Sequence, residues 1–168
     1  MPAAFELTTE TDTPDVQRLL AKLQPNQLAA VMKIVGVGGQ DLVREAFQTS
    51  ENAYGEKWAP LQESTLAAFV GRGVGGKSGW RRRKSYGTRP LVRKGALMAS
   101  ATSSVTLDGS AVKIGVSKAY GVFHQGDSDV PSKGIVPERS FLPKADRGLP
   151  DAWRDMVIDS IEAHLGGD

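Results

Sequence analysis

Apolar and polar residues alternate at Phe5-Glu6-Leu7-Thr8, the period-two pattern of a half-buried strand. The period then lengthens. Thr13-Pro14-Asp15 has the chemistry of a helix start: Thr as cap, Pro at the first helical position, an acid in the first turn. That helix is expected to run to about Gln24, because Pro25 forces a break and itself suits the first turn of a second helix. In the second segment Leu28, Val31, Val35, Leu42, Ala46 and Phe47 keep one apolar face in register across Gly36, Gly38 and Gly39. Each glycine costs about 1 kcal/mol against alanine, so packing of that face must offset the loss. The pattern predicts one helix from about 26 to 50, weakened in its middle, with glycines that leave room for another element to pack close.

Beyond Asn52, Tyr54-Gly55 is a turn leading to the aromatic anchor Trp58, and residues 65–69 suit a helical turn. Residues 97–107, rich in Ser, Thr and Val, read as a strand. Asp108-Gly109 is a strong hairpin signal, and residues 111–116 alternate Val112, Ile114 and Val116 against Ala111, Lys113 and Gly115 as the return strand. After a loop rich in Gly, Ser and Pro, a last helix starts near Pro150. Its apolar side carries Leu149, Trp153, Met156, Val157 and Ile161, and its outer side Asp151, Asp155, Asp159 and Glu162. The order of elements predicts an α+β fold: a small antiparallel sheet packed by a long N-terminal helix and a C-terminal helix. A length of 168 residues suits a single domain, 1–168.

Composition narrows the chemistry. The absence of Cys excludes disulfides, thiolate metal sites and thiol nucleophiles. His124 and His164 are the only histidines, too few for a three-histidine zinc site. The start of the chain does not read as a signal peptide, and the longest apolar stretch, residues 28–39, is far short of the ~20 residues of a membrane span. A cytoplasmic protein with no membrane partner is expected. Charge changes the picture more. The formal net charge is only +2, yet residues 64–107 contain no acid and nine bases. These are Arg72, Lys77, Arg81, Arg82, Arg83, Lys84, Arg89, Arg93 and Lys94. The remaining 12 bases face 19 acids, so an acidic body bears one basic segment. Residues 71–88 have almost no apolar periodicity, and a mobile basic loop is expected at about 70–89.

Three motifs invite chemistry. Residues 71–78, Gly-Arg-Gly-Val-Gly-Gly-Lys-Ser, match the Walker A pattern letter for letter. Their setting is wrong for a phosphate cradle: the preceding segment is a weak strand, no apolar helix opens at Lys77, and no apolar strand ending in a free Asp follows. A small P-loop-like NTPase is therefore the least favoured reading. The run Trp80-Arg81-Arg82-Arg83-Lys84-Ser85-Tyr86 mixes bases with aromatics, as single-strand binders do. Arg72, Lys77, Arg81, Arg82, Arg83, Lys84 and Arg89 are thus candidate contacts to DNA or to an acidic protein surface. His124 with Asp127 and Asp129 could form a metal or catalytic site, but three ligands in one short loop make a poor scaffold. A hydrogen-bonded structural role for His124 fits better. No catalytic residue, metal ligand or cofactor site is assigned.

Four further signatures occur in order. They are Gly55-x-x-Trp58-x-Pro60-Leu61-x-x-x-Thr65, Arg89-Pro90-Leu91-x-x-x-Gly95-x-Leu97-x-x-Ser100, Tyr120-x-x-x-His124-Gln125-Gly126, and Pro137-Glu138-Arg139-Ser140-Phe141-Leu142. Together they resemble the phage virion morphogenesis family, the tail-completion proteins of Mu-like and related tailed phages. The chain departs from that pattern in its basic insert between the first two signatures, and in Lys94 where the family usually has Thr or Ser.

The resemblance implies a non-enzymatic structural protein of the virion neck, present in the host cytoplasm during assembly. It implies a ring, six-fold, that completes the tail and joins it to the head, with neck or head-completion proteins and tail terminator or tail-tube proteins as partners. In this picture Trp58, Pro60 and Leu61 form a core anchor, Phe141 is buried in a rigid segment, and Arg139 is free to pair. The basic loop and the acidic last helix give a ring subunit complementary sides, the loop ordering against a neighbouring subunit, a neck or tail protein, or DNA in the channel. A nucleic-acid-binding module using the loop is the alternative.

Overall fold

A 25-residue helix, α2 (Pro25–Thr49), organises the chain. A computed structural model describes residues 3–8, 13–63, 89–92, 94–106, 109–126 and 137–166. Ahead of α2 lie strand β1 (Ala4–Thr8) and helix α1 (Pro14–Leu20). After it come β2 (Ala101–Val105), β3 (Ala111–Val116), the single turn α3 (Val122–Gln125) and α4 (Asp151–Leu165). Pro25 opens α2 as its first residue, and the Gln24 N–H donates to Gln27 Oε1 (3.0 Å). α2 runs unbroken through Gly36, Gly38 and Gly39 and ends at Ser50, which takes a left-handed conformation (φ 58°).

The strands form an antiparallel sheet in the order β1-β3-β2. Phe5 and Ser103 flank Ile114, and Leu7 and Val105 flank Val112, so these residues share the inner face. The other face is polar, with Thr102 and Ser104 exposed and Lys113 paired to Glu6 at 3.8 Å. α2 lies on β2 and β3. α4 packs beside α2 and reaches β1 through Trp153, whose ring meets Phe5 edge-on at 5.7 Å. The core between these layers includes Val31, Met32, Val35, Val43 and Phe47 of α2 with Trp153, Val157 and Ile161 of α4.

The α2 glycines explain how the layers come so close. A methyl group added at Gly36 would lie 2.8 Å from Ser103 Oγ in β2. At Gly38 it would lie 2.8 Å from Met156 Sδ in α4. At Gly39 it would lie 3.2 Å from Trp153 Cζ3 and nearer still to Ile114 Cδ1. Three elements thus occupy the space that side chains would take.

Four local expectations are corrected. α1 stops at Leu20 rather than Gln24, because a residue before proline is pushed out of the helical region; Gln24 is extended (φ −76°, ψ 156°). Thr13 is extended as a cap should be, but its hydroxyl makes no capping bond. The strand predicted from 97 begins only at Ala101, since Met98–Ser100 form a 3-10 turn. That turn is closed by Ala99 N–H on Gly95 O (2.8 Å) and Ser100 Oγ on Leu97 O (2.7 Å). Pro60 is exposed and Leu61 only half-buried, so Trp58 alone of that trio is a core anchor. The hairpin, by contrast, closes as expected: Gly109 has φ 73° and its N–H donates to Thr106 O (3.0 Å).

Gly39→Ala is expected to lose about 1–3 kcal/mol of stability by overpacking a site with no slack, despite its better helix propensity. Gly38→Ala, facing only the flexible end of Met156, should be near neutral or gain up to about 1 kcal/mol. Urea denaturation of the two variants measures the contrast; equal gains from both would contradict the close-approach explanation.

Candidate functional site

The four signatures converge beside the C-terminal end of α2. Leaving that helix, the chain turns on Asn52, whose Oδ1 accepts from the N–H groups of Tyr54 (2.9 Å) and Glu56 (3.0 Å). The turn delivers Trp58 into the core. Its ring meets Phe47 edge-on at 5.5 Å, and Phe47 in turn lies 5.1 Å from Phe141. Trp58 Nε1 donates to Ser140 O at 2.8 Å, which ties the first signature to the fourth.

Arg139 makes a second tie. Its Nε donates to Ala59 O (3.0 Å) and its Nη2 to Pro60 O (3.2 Å). The expectation that Arg139 is free to pair is therefore corrected: the side chain is 6% exposed and spent on two backbone carbonyls. Burial lowers its pKa from the usual arginine value, because the charge is held where water is scarce. The planar fork suits two adjacent carbonyls as an ammonium would not.

The third signature locks onto the fourth as well. Gln125 is buried; its Nε2 donates to Leu142 O (2.8 Å), and its Oε1 accepts from Phe141 N–H (3.3 Å). Arg139 N–H donates to His124 O (2.9 Å). Gly126 ends α3 at φ 77°, a conformation that favours glycine, with the flexible end of Glu138 beside it. The second signature joins through Leu97, which is buried and lies with Phe141 against Gly121. Gly55 (φ 79°) and Gly95 (φ 67°) sit in open turns. Pro137 is half-buried, Tyr120 is 45% exposed, and Arg89 Nη1 donates to Gln48 O at 2.9 Å.

Sequence reasoning missed a clasp beside this node. Tyr54 OH accepts from Lys144 N–H (3.0 Å) and donates to Gly148 O (3.0 Å). The Arg147 guanidinium stacks 3.9 Å above the Tyr54 ring and forks onto Glu56 at 2.8 and 3.1 Å. The hydrogen bond from Arg147, then that from Asn52, holds the Glu56 carboxyl down to about 2. Tyr54 next to a turn glycine was visible, but its partners lie about ninety positions away in sequence, beyond the reach of any local pattern.

His124 is the exception in a well-satisfied node. Its Nδ1 is buried and, among the described residues, has no hydrogen-bond partner, so the expected hydrogen-bonded role is corrected for that atom. Desolvation, and then the nearby Arg139 charge, lower its pKa below the usual histidine value. Arg72, Lys77, Arg81, Arg82, Arg83, Lys84, the Walker-like residues 71–78, residues 65–69, Asp127 and Asp129 all lie outside the described residues. Among the described residues no cluster of His, Asp and Glu could hold a metal ion, and no helix is long and apolar enough to cross a membrane.

The marked side chains thus meet on irregular backbone, donating to the carbonyls of residues 140 and 142, which are buried, and of 59 and 60, which lie at the surface. This defines an α+β protein whose signature residues brace one packing node. The chain matches the model of the phage virion morphogenesis family over residues 11–166, nearly its whole length, and it belongs to that family. It is accordingly a phage virion assembly protein. No curated protein and no solved structure matches it.

Arg139→Lys should cost about 1–2 kcal/mol, since one ammonium cannot reach both carbonyls with the geometry of the guanidinium fork. Chemical denaturation checks this. His124, with its depressed folded pKa, contributes stability that is complete above about pH 6.5 and lost as pH falls below it. The stability drop between pH 7 and 5 should therefore flatten in His124→Asn. Glu56 does not interfere, because its contribution is lost only below about pH 4.5.

Proposed function

We propose that this protein completes the tail at the head–tail junction, acting in the virion neck as a homo-oligomeric, hexameric ring. Its partners in this reading are neck or head-completion proteins on one side and tail terminator or tail-tube proteins on the other. The observation that carries the reading is the division of charge. α4 exposes Asp151, Asp155, Asp159 and Glu162. Arg154 pairs there with Asp151 (3.4 Å) and Asp155 (3.2 Å), while residues 64–107 hold nine bases and no acid. A subunit that must meet both copies of itself and two different neighbours needs surfaces of opposite sign, and such complementarity fixes register and excludes wrong partners.

DNA in the channel is a second reading, favoured by the interleaving of Trp80 and Tyr86 with four consecutive bases. A steep fall of DNA affinity with salt for the purified protein would support it.

Electron microscopy of a lysate from the parent phage lacking this gene tests the junction role. Filled heads beside separate tails are expected, and normal joined virions would contradict it. Replacing residues 81–84 with Ser should leave the fold unchanged and lower the yield of joined virions by about tenfold or more; an unchanged yield would remove the basic segment from the role.

A further inference from the structure

We infer that neighbouring copies of this chain dock by seating Phe123 of one copy, with Tyr120 beside it at the rim, in the cleft between α2, the 51–55 turn and α4 of the next. The inference rests on the ring reading and names the contact that would build it. Tyr120 and Phe123 are large aromatics 45% and 44% exposed, three residues apart on one helical turn, and so share a face. Exposed aromatics placed together are a recurrent anchor at protein interfaces.

The cleft supplies the complement. It has a volume of about 140 Å³ and is lined by the apolar Leu42, Ala46, Ala53, Ala152 and Trp153 together with the polar Glu45, Thr49, Glu51 and Asn52. A cavity of about 150 Å³ accommodates a benzene ring, so by size this cleft takes a single aromatic side chain, its apolar residues against the ring and its polar ones at the edge that a tyrosine or phenylalanine leaves open. The other exposed apolar pair, Ile34 and Val37, lies along the straight flank of α2 and presents a stripe rather than a protruding ring.

Charge favours the same pairing. Lys118 is exposed beside the aromatic pair and Glu45 is exposed beside the cleft, and among the described residues neither has an ion-pair partner. Knob and cleft are different surfaces of one chain. Contact between them is therefore heterologous: every copy offers both halves, and contacts of this kind build a ring where the rotation between copies closes. One ring in one cleft buries far less than the roughly 1,200 Å² of a stable interface, so this contact is the anchor of a broader one.

Light scattering of the purified full-length protein tests this directly. Phe123→Asp and Ala152→Trp, each with a wild-type circular dichroism spectrum and melting transition, should weaken self-association by about tenfold or more. Their equimolar mixture should form heterodimers, because it retains one intact knob and one intact cleft. Lys118→Glu should weaken association, and Glu45→Lys added to it should restore it. A variant that keeps the wild-type mass, or a mixture that stays monomeric, overturns the contact while leaving the ring standing. A wild-type protein that is monomeric at every concentration overturns both contact and ring, while the deletion lysate judges the junction role independently.

Discussion

The close approach of α2 to its neighbours is the constraint on which the structure depends. A helix normally keeps its partners about 8–10 Å away from its axis, and side chains at 36, 38 and 39 would hold them there. Glycine at these positions lets Ser103 of β2, Met156 of α4, and Ile114 with Trp153 press onto the helix backbone. The helix gives up roughly 1 kcal/mol of propensity at each site. In exchange the sheet, three-stranded among the described residues, gains a continuous apolar cover on its inner face.

That layer holds the far end of α2 in a fixed relation to the sheet, and the signature node is built on this end. Phe47, on the last turns of α2, lies between Trp58, met edge-on, and the tilted ring of Phe141. Around these rings the chain passes twice in non-regular conformation, at 58–60 and 137–142, where no ladder satisfies the backbone. Trp58, Gln125 and Arg139 supply the missing donors. At 140–142 that backbone is buried, where a carbonyl without a partner is costly, so the donors of Trp58 and Gln125 follow from the path of the chain.

Much of this was legible in the sequence, for reasons that differ by element. The apolar stripe of α2 keeps its period across three glycines, and that periodicity outweighed their reputation as helix breakers. β3 and the hairpin glycine were equally plain, as was the acidic outer face of α4. Arg139 was not legible: an arginine in an extended segment reads as a solvated charge, and only carbonyls about eighty positions earlier make it a buried brace. The start of β2 was misplaced because Gly95 and Ser100 offer local hydrogen bonds that compete with strand pairing. Tyr54, Glu56 and Arg147 meet only in three dimensions.

In the proposed role, a braced, acidic-faced body with one acid-free basic segment offers a virion morphogenesis protein surfaces of opposite sign. The central claim is its place in the particle. Immunogold electron microscopy of intact purified virions, with antibody raised to this chain, tests it most directly. Labelling at the neck between head and tail is the result that the junction role predicts. Label confined to the capsid or the tail tip, or absent from finished virions, would contradict it.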